Sequence, residues 1–343
     1  MLAVGVDIHK KTLTICVLDE SDKPVITKRI ENTVEKVVEF FSPYRGDARV
    51  AIEPTHNWGP IHDLLTEMGF ECKVSDPRQN RLIGKAVVKT DRLDAKRLAT
   101  LFRVDMLPLC YAAPSDVRRR REKVRARASL VRTCTSLKNQ LRAQLTRSWI
   151  TCPLTDVSGK GGRAFVSTLE WDDDQKAVAR MRLDLIAQAQ VYVQKLEDEI
   201  SHDAQGDLRA QLLMTIPGIA EYSSSVILAE IGDIDRFARA ESLVAYAGLC
   251  VSEDSSGESV RRGRITKCGS AWLRWVLVEA ALHTVTQEGK IRNLYERVEK
   301  KKGHSKAIVA AARELLVSIF WMLKRMEPYR PSGKKVSFAG EVR

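Results

Sequence analysis

The first hundred residues alternate between short apolar runs and amphipathic stretches. LAVGVDI (2–8) is rich in β-branched residues and predicts a strand. TLTICVLD (12–19) predicts a second strand, SDK a turn, and PVITKRI (24–30) a third. In TVEKVVEFFSPY (33–44), Val34, Val37, Val38 and Phe41 recur at helical spacing. ARVAIE (48–53) reads as a buried strand. GPIHDLLTEMGF (59–70) reads as an amphipathic helix closed by Gly69, and ECKVSDP (71–77) as a fifth strand. VKTDRLDAKRLA (88–99) opens a helix that runs to about residue 103.

The resulting order, βββαβαβα, is that of an α/β ribonuclease H-like domain. In that fold the first and fourth strands are sheet neighbours, a placement taken from fold analogy and not from spacing. After it the pattern becomes helical. RRRREKVRARASLVRTCTSLKNQLRAQL carries an apolar stripe through Val124, Leu130, Val131, Leu137, Leu141 and Leu145. TDVSGKGG (155–162) reads as a loop. A second long helix over 173–200 carries Met181, Leu185, Ala189, Tyr192, Leu196 and Ile200 at near-heptad spacing. That stripe suits pairing within the chain and oligomerisation equally.

LLMTIPGIAEYSSSVILAEIGDIDRF predicts two helices about Pro217-Gly218, a helix-hairpin-helix pattern whose turn can offer N–H groups to a phosphate. Ala220 stands where a second turn glycine is usual. SLVAYAGLCVSEDSSGESVRRGRITKCGS then predicts a helix, a Ser/Gly/acid-rich loop and a basic run. Helices follow over 271–287 and 306–325, and PSGKKVSFAGEVR predicts an unstructured tail. The implied domains are 1–112, a basic helical linker 113–205, a C-terminal domain 206–330, and the tail 331–343.

Charge sharpens this picture. The 343 residues carry a formal net charge of +12, which favours a polyanionic partner, nucleic acid above all. From Arg118 to Arg147 there are eleven Lys/Arg and one acid, Glu122. Arg118, Arg119, Arg120, Arg121, Lys123, Arg125 and Arg127 on that helix are candidate phosphate contacts, as are Arg261, Arg262, Arg264 and Lys267 further on. Seven scattered cysteines without a CxxC pair imply reduced thiols and a cytoplasmic protein. No signal peptide is expected, because Asp7 interrupts the first apolar run, and no apolar stretch approaches the ~20 residues that span a bilayer.

Against this basic background four acids stand out. Asp7 interrupts an apolar strand, and Glu53 ends the fourth. Asp91 and Asp94 lie three apart on one helix face. In a ribonuclease H-like layout the four converge, and unpaired they would repel one another. A divalent cation resolves the conflict, and hard oxygen ligands suit Mg²⁺ or Mn²⁺. Two such ions about 4 Å apart can activate a nucleophile and stabilise a leaving oxygen in phosphoryl transfer. Each acid also has a bland role. Asp91 could cap its helix, and Asp94 could pair with Lys96 or Arg97.

GVDIHK, AIEPTHNW and KTDRLDAKRLA, followed by IPGI, AYAGL, SSGESVRRGRITKCGS and LRW, resemble the insertion sequence one-ten family of transposases and its relatives, the pilin-gene inversion recombinases. The resemblance covers roughly residues 1–325, in order. It implies a RuvC-like N-terminal domain whose DEDD acids fall on Asp7, Glu53, Asp91 and Asp94. It also implies a serine nucleophile, which falls on Ser256 beside Gly257 with Ser255 as the rival. A bridge RNA that pairs with donor and target DNA is implied as well. A glycine expected near position 56 is replaced by His56.

A serine is a weak nucleophile until its proton is removed or the developing charge is neutralised. Arg261, Arg262 and Arg264 could bind the phosphate under attack, but no general base is evident nearby. A composite site, with the acid-bearing domain of another protomer docked against the serine loop, would supply what is missing. The expected protein is therefore a bacterial or archaeal, nucleoid-associated DNA recombinase working as a dimer or tetramer. The alternatives are a RuvC-like structure-specific endonuclease without serine chemistry, a sugar-kinase-like phosphotransferase, and a non-catalytic nucleic-acid-binding protein. The phosphotransferase would need a second Gly-rich phosphate strand, which is not found.

Overall fold

Apolar residues on both faces of β1 (Leu2–Ile8) and β2 (Thr12–Leu18) place these strands at the centre of a sheet. In a computed structural model of the chain they form part of a five-stranded sheet with β3 (Pro24–Glu31), β4 (Ala48–Ile52) and β5 (Glu71–Val74). The structure describes residues 1–55, 57–83, 90–256 and 259–331, without the side chains of 81–83, 254–256 and 259–262. The sheet order is β3-β2-β1-β4-β5. β2 runs antiparallel to β1, and β4 runs parallel to it, so β1 and β4 are neighbours as expected.

Helices α1 (Val34–Phe41), α2 (Trp58–Glu67), α3 (Pro77–Ile83) and α4 (Asp91–Arg103) complete this first unit, Met1–Ser115. The order βββαβαβα is met, with α3 added. Pro77 begins α3, where a missing N–H costs nothing, and the Asp76 carboxylate accepts from the Arg78 amide at 2.8 Å. One core packs Val4, Val6, Ile15, Phe41, Val50, Ile52 and Leu65.

The second unit, Asp116–Arg343, is mainly helical. Two 33-residue helices, α5 (Ser115–Arg147) and α7 (Asp173–Gln205), flank the short α6 (Lys160–Ser167). The predicted loop at 155–162 is therefore shorter than expected, because Gly161 and Gly162 lie inside α6. On α7 the packed face is Ala179, Leu183, Ile186, Ile200 and Ala204. Met181, Leu185 and Tyr192 of the near-heptad stripe are exposed.

α8 (Leu208–Met214) and α9 (Glu221–Ile231) flank Pro217-Gly218 as predicted. The Ile219 amide donates to the Ile216 carbonyl and the Ala220 amide to Ser223 Oγ. α10 (Ala240–Tyr246) follows. The Ser/Gly/acid-rich segment expected as a loop is a hairpin instead, β6 (Val251–Ser256) against β7 (Ser259–Ile265). Its polar composition hides the strand alternation that periodicity needs. α11 (Ala271–Thr284) and α13 (His304–Arg325) match prediction, and α12 (Lys290–Lys302) is additional. Residues 332–343 of the predicted tail lie outside the described residues.

Among the described residues, no helix is long and apolar enough to cross a membrane. The seven cysteines are free thiols. Burial pushes the Cys72 thiol up to about 12 and the Cys110 thiol up to about 11, so neither is a nucleophile at neutral pH.

Several basic residues of α5 bind within this unit. Arg121 donates to the Ala229 and Glu230 carbonyls at the end of α9, at 2.8 and 2.9 Å. Arg125 contacts the buried Glu230 carboxylate through Nε and Nη2, at 3.0 and 2.7 Å. Ser270 Oγ donates to the other Glu230 oxygen at 2.9 Å while capping α11. Gly269, at φ +142°, makes the preceding turn possible, since a Cβ there would meet the Tyr246 carbonyl at 2.1 Å. Arg125 is itself 41% exposed, but Glu230 is 1% exposed, so loss of the guanidinium strands a buried carboxylate. Arg125→Ala is accordingly expected to destabilise this unit by about 3 kcal/mol, a fall of roughly 10 °C in its calorimetric transition. Arg119→Ala, at an exposed position, is expected to leave that transition in place.

Candidate metal centre

The site is built by two periodicities that meet. Along β1 every second residue shares a face, which aligns Gly5 with Asp7, and His9 continues the row just beyond the strand. Along α4 residues four apart share a face, which aligns Ala99, Ala95 and Asp91. Gly5 lies directly under α4, because a Cβ on it would stand 2.0 Å from the Ala95 carbonyl and 2.6 Å from the Ala99 amide. From the nearest contact, with Ala95, the helix row reaches Asp91 in about 6 Å and the strand row reaches Asp7 in about 7 Å, with His9 following. The two rows therefore end together, and their polar ends are Asp7, His9 and Asp91.

The donor atoms of Asp7, His9 and Asp91 all lie within 4.8 Å of one another. His9 Nε2 is 3.1 Å from Asp7 Oδ2 and 3.3 Å from Asp91 Oδ2. The His9 backbone is fixed on both sides. Its amide donates to the Thr12 carbonyl at 2.9 Å, and its carbonyl accepts from Asn32 Nδ2 at 3.0 Å. Thr90 caps α4, its hydroxyl accepting from the Leu93 amide at 3.3 Å. Asp91 is thus the first helical residue and not the cap, which leaves its carboxylate for other work.

Glu53 follows β4, and its amide donates to the Val6 carbonyl at 3.4 Å, beside Asp7 in the parallel register. Glu53 and Asp94 stand outside the group closed at 4.8 Å. Asp94 is close enough for its charge to act on Asp7. Burial, chiefly, pushes the Asp7 carboxyl above the usual range; His9 opposes this, and the charges of Asp91 and Asp94 add to it. Thr14, opposite Asp7 in the β1–β2 register, is 2% exposed, and its hydroxyl has no hydrogen-bond partner. A buried carboxyl facing like charges beside an unsatisfied hydroxyl fits a hard divalent cation.

His9 escapes a search for acids, although its place two residues after Asp7 is the signal that finds it. His56 lies outside the described residues, as does Gly257. Ser256 is the last residue of β6 and pairs with Ser259 across the hairpin. The side chains of Ser255, Ser256, Arg261 and Arg262 lie outside the described set, whereas Arg264 and Lys267 are exposed.

On α5, besides Arg121 and Arg125, Arg120 pairs with Asp116, Lys123 with Glu199 and Asp203, and Arg127 with Glu197. Arg127 also stacks on the Tyr222 ring at 4.1 Å. Arg119 is exposed and Arg118 half-buried.

Two sequence profiles match the chain. The transposase profile for the DEDD domain of IS110 elements covers residues 4–150, with the whole acid set inside it. The profile of the transposase IS116/IS110/IS902 family covers residues 210–296, including the β6–β7 hairpin. The chain belongs to the IS110 transposase family. Like other members of this family, it is an enzyme that cuts and rejoins DNA.

A transposase for the insertion sequence element IS1111A of Coxiella burnetii is 25% identical over 343 residues, covering 95% of this chain and 91% of the relative. A transposase for IS1328 of Yersinia enterocolitica is 22% identical, covering 93% and 96%. A pilin gene-inverting protein of Moraxella bovis is 32% identical over 124 residues, covering 35% and 38%. Membership in the IS110 family implies dependence on a divalent metal, and the acids around Asp7 are where the chain can hold one.

Proposed function

We propose that this transposase exchanges DNA strands with Mg²⁺ held by Asp7, Glu53, Asp91 and Asp94 in a RuvC-like, ribonuclease H-like domain. Ser256 is its nucleophile. The observation that carries the metal reading is the buried Asp7 carboxyl, raised by burial and by Asp91 and Asp94, with the Asp91 oxygen inside the same 4.8 Å group. A divalent cation there would neutralise charge on the scissile phosphate and on the departing oxygen.

The remaining roles belong to the chain. Asp7, fixed in β1, sets the position of the site, and α4 brings Asp91 and Asp94 to it as one rigid piece. Ser256 Oγ forms a bond to phosphorus while one P–O bond to a sugar breaks, and the serine proton leaves with the departing sugar oxygen. Attack by a sugar hydroxyl of another strand reverses this and frees the serine. Each step exchanges one phosphodiester for another, so no ATP is consumed.

Donor and target DNA, a bridge RNA, and a dimer or tetramer that completes the site belong to the same proposal. The exposed Arg119, Arg264 and Lys267 serve as phosphate contacts, together with Arg261 and Arg262. Arg120, Arg121, Lys123, Arg125 and Arg127 act first as internal braces. The α8–α9 turn has less support as a phosphate contact, since the Ile219 and Ala220 amides are engaged within the chain.

The test is a covalent protein–DNA adduct trapped on a nicked substrate. Wild type is expected to form it, Ser256→Ala to lose both adduct and strand joining, and Ser255→Ala to keep both. A Ser256→Ala protein that joins strands at the wild-type rate would leave a RuvC-like endonuclease as the better reading.

A further inference from the structure

His9 is the group in the acidic cluster that the four-acid set does not use. It sits where a ligand would sit. Its Nε2 is 3.1 Å from one oxygen of Asp7 and 3.3 Å from one oxygen of Asp91. Adjacent ligand atoms around an octahedral ion with bonds of about 2.1–2.2 Å are separated by about 3 Å. The two separations from the imidazole nitrogen therefore match adjacent positions around one ion, and the two carboxylate oxygens lie within 4.8 Å of each other.

The position of His9 is also built in. Two residues after Asp7, it lies on the same face of the strand row. The tight β1–β2 connection locks it from one side through Thr12, and Asn32 Nδ2 locks its carbonyl from the other. An all-oxygen site serves Mg²⁺ and Mn²⁺ alike, whereas imidazole is a poor ligand for Mg²⁺ and a better one for first-row transition ions, of which Mn²⁺ binds it most weakly.

We infer that His9 is a further ligand of the divalent cation, supplying one nitrogen beside the oxygens of Asp7 and Asp91, and that it biases the site toward Mn²⁺ over Mg²⁺. This rests on the metal reading of the acids above, and it adds a residue and an ion preference to it.

The full-length protein titrated with Mn²⁺ alone tests it, by calorimetry for affinity and by pulsed EPR for nitrogen coupled to the bound ion. Wild type is expected to show a nitrogen coupling. His9→Ala, at a half-exposed position, is expected to lose that coupling and to bind Mn²⁺ about tenfold more weakly, while its Mg²⁺ affinity stays within about threefold. A histidine that serves merely as a counter-charge to the acids gives the opposite result. Its removal would leave Mn²⁺ affinity unchanged or tighten it, and wild type would show no nitrogen coupling. Either finding overturns the inference.

Asp7→Asn separates the two levels. If Asp7→Asn weakens Mn²⁺ binding strongly while His9→Ala does not, the acids hold the ion and His9 does not. If neither variant changes binding, the metal reading itself falls and takes the inference with it.

Discussion

Asp7→Asn is expected to lower strand cleavage by about a thousandfold or more, the scale of losing the electrostatic stabilisation of a phosphoryl-transfer site. Nucleic-acid binding is expected to remain, since it depends on cations of the second unit. The same variant should be more stable than wild type when metal is absent. Burial and the charges of Asp91 and Asp94 raise the Asp7 carboxyl in the folded chain. A carboxyl raised on folding favours the native state only while it is protonated. Its contribution is fully present below the ordinary carboxylate value of 3.8 and is lost as pH rises through the raised value. At neutral pH the charged Asp7 is therefore a burden that Asn lacks. Thermal unfolding in a chelator should show Asp7→Asn melting above wild type at pH 7, with the gap closing toward pH 3. Excess Mg²⁺ should then raise the wild-type transition and leave that of the variant in place. A wild type that melts higher than Asp7→Asn without metal would mean that Asp7 is held by something other than a cation.

Gly5→Ala, one methyl group, is expected to rank second in effect. Nothing at Gly5 is chemical, yet α4 rests on it. The added carbon would fall 2.0 Å from the Ala95 carbonyl and 2.6 Å from the Ala99 amide, both of them backbone atoms that no rotamer change can move. Either α4 lifts or β1 bends. Overpacking of this kind costs about 1–3 kcal/mol, and a backbone clash lies at the upper end. Because Asp91 and Asp94 ride on the displaced helix, cleavage should fall by more than the loss of folded protein explains. Single-turnover cleavage normalised to the folded fraction measures this. Normal activity per folded molecule would show that the acids do not depend on the close approach of α4 to β1.

The first unit was legible in the sequence because its elements are amphipathic or fully apolar, so periodicity reports them directly. The helix α3 was hidden behind Asp76-Pro77, which reads as the end of a strand although Pro at the first helical position is favourable. The helix α12 has one buried residue, Ile291, in a highly charged sequence, and so offers little apolar signal. The hairpin β6–β7 is mostly Ser, Asp, Glu and Arg, and its few apolar residues, Val251, Val260 and Ile265, are too sparse to show an alternation.

For the site, the four acids were visible because carboxylates in a basic chain are conspicuous. His9 was not, because its role depends on the meeting of a strand row and a helix row that lie more than eighty residues apart. The basic face of α5 was misleading in a specific way. Composition counts charges and cannot show that Arg121 and Arg125 bind the end of α9 and a buried Glu230. A charge run reports nucleic-acid affinity only to the extent that its members lack partners inside the fold.

Anomalous diffraction from crystals of the full chain grown with Mn²⁺ would test the central claim most directly. The account predicts a scattering peak bonded at about 2.2 Å to an Asp7 oxygen, with Asp91 and at least one of Glu53 and Asp94 in the same coordination sphere. A peak elsewhere, or none, with Asp7 still hydrogen-bonded to His9 in saturating Mn²⁺, would contradict it.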